Sequence, residues 1–128
     1  MNNLIVDAAR DKIFLTFIVE ENIYTSTHEN SKINFEKLMI LIKEFLENNK
    51  SSLDDISSIY VNRGPGSFAG IRNSLSTIKA LFLTKKIDYY CFIFEDFRES
   101  EAFKYADVPQ LCKKYKIKKN LINPIYLS

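Results

Sequence analysis

The chain has 128 residues, 46% of them hydrophobic, and a formal net charge of +2. That is enough apolar material for one core without disulfides or metals, and too little charge to argue by itself for a nucleic-acid partner. No apolar run approaches the roughly 20 residues that cross a bilayer, and Met1–Asp7 lacks the basic start and long apolar stretch of a secretory signal, so a cytoplasmic protein with no membrane partner is expected.

Three β-rich runs open the chain: Leu4-Ile5-Val6 ending at Asp7, then Lys12–Val19, then Ile23–Thr27. The polar breaks between them predict a three-strand meander. The apolar period then changes. Phe35, Leu38, Leu41, Ile42 and Phe45, joined by Met39 and Leu46, predict a helix over about 34–48 whose apolar arc spans about 160°. So wide an arc calls for two apolar neighbours, one a sheet and the other a second helix or a partner chain.

Ile59-Tyr60-Val61 reads as a strand that breaks into Arg63-Gly64-Pro65-Gly66. Ile71, Leu75, Ile78 and Phe82 then mark a helix over about 68–84, with Ser67 as its N-cap. Tyr89–Phe94 is apolar without alternation, as a strand covered on both faces is. A last helix is expected from Pro109 to about Tyr115. The order βββαβαβ with a helical tail predicts a single α/β domain over 1–128 with a mixed five-stranded sheet and right-handed crossovers.

All three glycines, Gly64, Gly66 and Gly70, fall within one seven-residue stretch at the strand–helix junction. Two readings stand. The junction can point free backbone N–H groups of Gly64, Gly66, Ser67 and Gly70 at an anion, with Arg63 and Arg72 adding charge beside Pro65; or the glycines serve a tight turn and a close helix–sheet approach. It is not a phosphate-cradling Walker loop, since no Lys-Ser or Lys-Thr follows at the required spacing. The helix beyond carries a second face of small or modestly polar residues, Gly70, Asn73, Ser74, Thr77, Ala80 and Thr84. Small side chains let helices approach closely, so this face is expected to meet another helix, of this chain or of a second molecule.

Cys91 and Cys112 lack metal or redox spacing and read as reduced. His28 is the one histidine, which excludes a histidine-pair zinc site within the chain and places His28 at a surface strand end. Neither metal nor cofactor is expected. Lys113, Lys114, Lys116, Lys118 and Lys119 form the one basic cluster, open to two readings: an RNA phosphate contact or a solvated end.

The stretch Val61-Asn62-Arg63-Gly64-Pro65-Gly66-Ser67-Phe68-Ala69-Gly70-Ile71-Arg72, followed by Ser76–Leu81, resembles the GRGPGSFTGLR signature of the TsaB (YeaZ) family. The meander opening at Asp7, the leucine-rich helix and Leu53-Asp54-Asp55-Ile56 resemble that family's amino-terminal lobe, and Asn123–Leu127 resembles its closing segment. The resemblance implies an actin-like, Hsp70-like (ASKHA, ribonuclease H-like) lobe over 1–95, with 96–128 a shortened replacement of the second lobe plus the tail. It also implies a non-catalytic subunit that joins a TsaD-type enzyme, and through it a TsaE-type ATPase and transfer RNA, in making N6-threonylcarbamoyladenosine; a homodimer would compete for the same surface. The residues expected at that surface are Phe35, Leu38, Met39, Ile42, Gly70, Asn73, Ser74, Thr77 and Ala80. Two departures, Asp7-Ala8-Ala9 for Asp-Thr-Ser and Asn34-Phe35-Glu36 for His-Ser-Glu, remove hydroxyls and a histidine and argue against catalysis. The rival reading is a small nucleotide-binding enzyme built on the glycine turn; a third is a self-associating relic.

Overall fold

The computed structural model describes residues 2–99 and 102–124. Five strands, β1 (Asn2–Asp7), β2 (Lys12–Val19), β3 (Asn22–Glu29), β4 (Ser58–Asn62) and β5 (Asp88–Phe92), form one sheet in the order β3-β2-β1-β4-β5. The β1–β2 and β2–β3 pairs are antiparallel, and β4 lies parallel to both β1 and β5. This is the mixed sheet and single α/β lobe expected from the sequence. The closing Asn123–Leu127 segment lies outside the described residues from Ile125 onward.

One sheet face is covered by helices α1 (Lys32–Glu36), α2 (Leu38–Asn48) and α3 (Phe68–Lys85). Their Phe35, Leu38, Ile42, Ile71 and Ile78 pack on Leu4, Val6, Ile13, Leu15 and Val61. The helix expected over 34–48 starts earlier, where the Ser31 hydroxyl accepts the Asn34 N–H, and breaks at Lys37. The break aims Phe35 at Gly70 on α3, while Leu38, Leu41 and Ile42 stay in the core. The second neighbour that the wide apolar arc called for is therefore α3 of the same chain.

The other face is covered by the chain beyond β5. A 3₁₀ turn at Phe94–Asp96, another at Tyr105–Asp107 and helix α4 (Val108–Lys114) bring Phe97, Val108, Leu111 and Cys112 onto Ile5, Tyr60 and Phe92. β5 is thus covered on both faces, as its unalternating run implied, with Tyr89 and Cys91 toward the helices and Tyr90 and Phe92 toward α4. Its open edge is closed by Asn120, whose N–H donates to the Tyr89 carbonyl and whose side chain accepts from the Tyr89 N–H. Covering an edge strand in this way blocks unwanted pairing. Both cysteines are free and buried, and burial pushes each thiol up to about 12. His28 is half-buried beside the Ser26 hydroxyl rather than fully on the surface.

Candidate functional site

The glycine turn sits where β4 ends, beside the turn that follows β1. Gly64 has a φ of 119°, which a Cβ would strain. Gly66 and Gly70 do a different job. A Cβ on Gly66 would lie 2.1 Å from the Ala9 carbonyl oxygen, and one on Gly70 1.8 Å from that of Ala8. Elsewhere the chain takes positive φ at Glu20, Lys50, Lys86, Lys116 and Asn120 without glycine. What the junction requires at Gly66 and Gly70 is therefore close approach: the start of α3 is pressed onto Ala8 and Ala9, and the Ser67 N–H donates to the Ala9 carbonyl at 3.0 Å.

Most turn donors expected to face an anion have partners within the chain. The Gly64 N–H donates to the Asn62 side-chain oxygen at 2.9 Å, and the Gly70 N–H to the Ser67 hydroxyl at 3.2 Å, which makes Ser67 the N-cap. Arg63 corrects an expectation. Its guanidinium donates to the Asn123 carbonyl at 2.9 Å and lies 3.8 Å from the Asp96 carboxylate, so its charge is engaged by the C-terminal segment rather than offered at the turn. Arg72 is exposed on α3, and Pro65 is exposed at the turn.

Next to the turn lies a buried polar group whose far partner the sequence did not show. Asp7, at the end of β1, has no exposed surface. Its carboxylate accepts the Ala9 N–H at 3.0 Å and the Tyr105 hydroxyl at 2.6 Å. Burial, then the nearby Asp7 charge, pushes the Tyr105 hydroxyl well above the usual tyrosine range, so it stays a donor. The Arg10 guanidinium lies over the rings of Phe14 and Phe94. Asp7 was legible as the polar stop of β1; Tyr105, 98 positions away, gave no local signal.

The residues expected to meet a partner divide into two groups. Phe35, Leu38, Ile42, Gly70 and Ser74 lie in the chain's own core, a correction to their assignment as surface contacts. They pack on the sheet and between α1 and α3, which is where the helical period sends them. Met39, Asn73 and Thr77 are half-buried and Ala80 is exposed. Large apolar side chains that the sequence analysis had not chosen stand out from the same layer: Ile33 is 70% exposed, Leu83 65%, Phe68 55% and Ile40 52%. Phe68 and Leu83 stand at opposite ends of α3, and Leu83 shares a surface groove with Ala80. In the basic segment, Lys114 pairs with Glu99 and Lys119 with Asp88, while Lys113, Lys116 and Lys118 are exposed and form no ion pair among the described residues.

No described helix is long and apolar enough to cross a membrane. Residues 19–91, more than half of the chain, match the family model described as TsaD: tRNA N6-adenosine threonylcarbamoyltransferase. The chain is 30% identical over 87 residues to the tRNA threonylcarbamoyladenosine biosynthesis protein TsaB of Buchnera aphidicola subsp. Schizaphis graminum, covering 68% of this chain and 41% of that protein. It is 35% identical over 65 residues to the TsaB of Buchnera aphidicola subsp. Baizongia pistaciae, covering 44% of this chain and 29% of that one. The fold is similar to that of YeaZ from Pseudomonas aeruginosa, with a TM-score of 0.66 at 16% identity over 72% of this chain and 43% of the other. The chain thus spans less than half the length of these relatives.

Proposed function

The chain belongs to the threonylcarbamoyltransferase family as a TsaB (YeaZ) member, and on that premise we propose that it is a non-catalytic partner that binds and supports a TsaD-type enzyme in making N6-threonylcarbamoyladenosine on transfer RNA. The observation that carries this reading is the outer side of α3, where Ala80 and Leu83 are exposed and share a surface groove, with Thr77 half-buried one turn before Ala80. Small residues admit a close helix, and exposed apolar ones reward it with buried area. A TsaE-type ATPase and transfer RNA would be reached through the complex, and a homodimer would use the same surface.

The state of the polar groups supports a non-catalytic role. Asp7, Arg63 and the N–H groups of Gly64, Ser67 and Gly70 are each bonded to this chain's own atoms, which leaves little for a substrate. Phe97, Val108, Leu111 and Cys112 beyond β5 contribute by closing the second sheet face. The test is a binding assay between the purified chain and a TsaD-type protein, repeated with Thr77→Arg and Ala80→Arg. Both changes sit at the accessible edge of α3, so the circular dichroism spectrum should be unchanged while the complex is lost. A complex that forms equally well with both variants would overturn the reading.

A further inference from the structure

The two edges of the sheet are finished differently. The edge at β5 is closed by Asn120 on Tyr89 and by a bridge from Lys119 to Tyr90, whereas β3, at the other edge, pairs only with β2 among the described strands. The hairpin between them turns in two residues, which makes Val19 and Asn22 a hydrogen-bonded pair. Alternation from that pair sends the backbone groups of Asn22, Tyr24, Ser26 and His28 to β2. Those of Ile23, Thr25 and Thr27 point outward and have no partner among the described residues. At Glu29 the carbonyl accepts the Asn34 side-chain N–H at 2.8 Å, which leaves the outward Glu29 N–H.

The usual protections of an edge strand, a proline, an inner lysine or a bulge, are missing here. Asn22–Glu29 runs eight residues in unbroken register with β2, and Ile23 is 54% exposed on it. Such an edge is a template for another strand.

We propose that β3 pairs antiparallel with β3 of a second copy of this chain, about a twofold axis at Ser26, so that one sheet runs through the dimer. This register sets Thr25 opposite Thr27, Tyr24 opposite His28 and Ile23 opposite Glu29. Thr25 and Thr27 then exchange both backbone bonds on each side of the axis, and the Glu29 N–H donates to the Ile23 carbonyl. An axis at Thr25 would keep the alternation but set Glu21 against Glu29, and like charges directly opposite are destabilising. An axis between two residues would demand bonds from groups already given to β2. Because the β5 edge is covered, pairing closes at two copies and does not grow into a filament. α3 lies on β4 and β5, away from β3, so this contact is separate from the helical surface and does not depend on the partner reading. One strand pair buries far less than the roughly 1,200–2,000 Å² of a stable interface, so the dimer is weak and set by concentration.

The experiment is sedimentation equilibrium from about 10 μM to about 1 mM on the full chain carrying Thr77→Arg, which silences self-association on α3. A monomer–dimer equilibrium with a Kd of about 100 μM is expected. Thr25→Lys combined with Thr27→Lys, on exposed side chains, sets like charges opposite each other on both sides of the axis. It should weaken the dimer about tenfold with an unchanged circular dichroism spectrum. Thr25→Lys combined with Thr27→Glu sets opposite charges there and should keep or tighten the dimer. Thr25→Pro removes an outward N–H without touching the β2 ladder, and should also weaken the dimer about tenfold. Monomer at every concentration, a dimer unaffected by the like-charge change, loss of the dimer on the opposite-charge change, or growth beyond two copies would each overturn the proposal.

Discussion

One face of the sheet is closed by α1–α3 through Leu38, Ile42, Ile71 and Ile78, aliphatic side chains at helical spacing. The other is closed by a segment with little regular structure, in which Phe97 packs against Phe92, Phe103 and Tyr115, and Phe94 against Phe103 and Tyr105. The first face is held by burial and by the close backbone approach at Gly66 and Gly70. The second adds polar ties from residues far apart in the chain: Tyr105 to Asp7, Arg63 to Asp96, and Tyr115 with Lys114 to Glu99. A short, irregular segment can therefore do the covering work of a helical layer when aromatic area and specific polar anchors replace periodic packing.

If the second face is as much a part of the core as the first, Phe97→Ala should cost about 4 kcal/mol and Ile42→Ala about 3 kcal/mol, measured by urea unfolding. A loss below about 1 kcal/mol for Phe97→Ala would show that the C-terminal segment is only loosely applied. Gly70→Ala should destabilise by about 3 kcal/mol, because the added Cβ meets a backbone carbonyl that cannot move aside. Tyr105→Phe leaves Asp7 buried with one partner fewer and should cost about 2 kcal/mol.

The smallest effect concerns Glu99, whose carboxyl is held below its usual range by the Tyr115 hydroxyl and then by Lys114. Because the folded value is depressed, this tie stabilises above the unfolded value of about 4.3 and is lost as pH falls through the folded value. Glu99→Gln should therefore melt slightly below the wild type at pH 7, and the gap should close in acid. A gap that persists at low pH would place its origin elsewhere.

The same contrast explains how much could be read in advance. The meander, α3 with its Ser67 cap, and α4 follow from local period and capping chemistry, and all appear within one or two residues of their expected bounds. The break at Lys37 did not, because it answers to the packing of Phe35 on Gly70. The site was legible where composition was concentrated, in the three glycines, although their purpose became clear only beside Ala8 and Ala9. Tyr105 on Asp7, Arg63 on Asp96 and the exposure of Ile33 and Phe68 were not legible. Each depends on which way the chain beyond β5 turns or on which side of a helix faces outward.

The most direct test of the central claim is reconstitution. The chain is added to a purified TsaD-type enzyme with transfer RNA and the remaining components of the transfer reaction, and complex mass and N6-threonylcarbamoyladenosine formed are measured in the same samples. The account predicts that a mixed complex appears together with product formation, and that Thr77→Arg removes both. Product formed equally well without the chain, or with Thr77→Arg in its place, would contradict it.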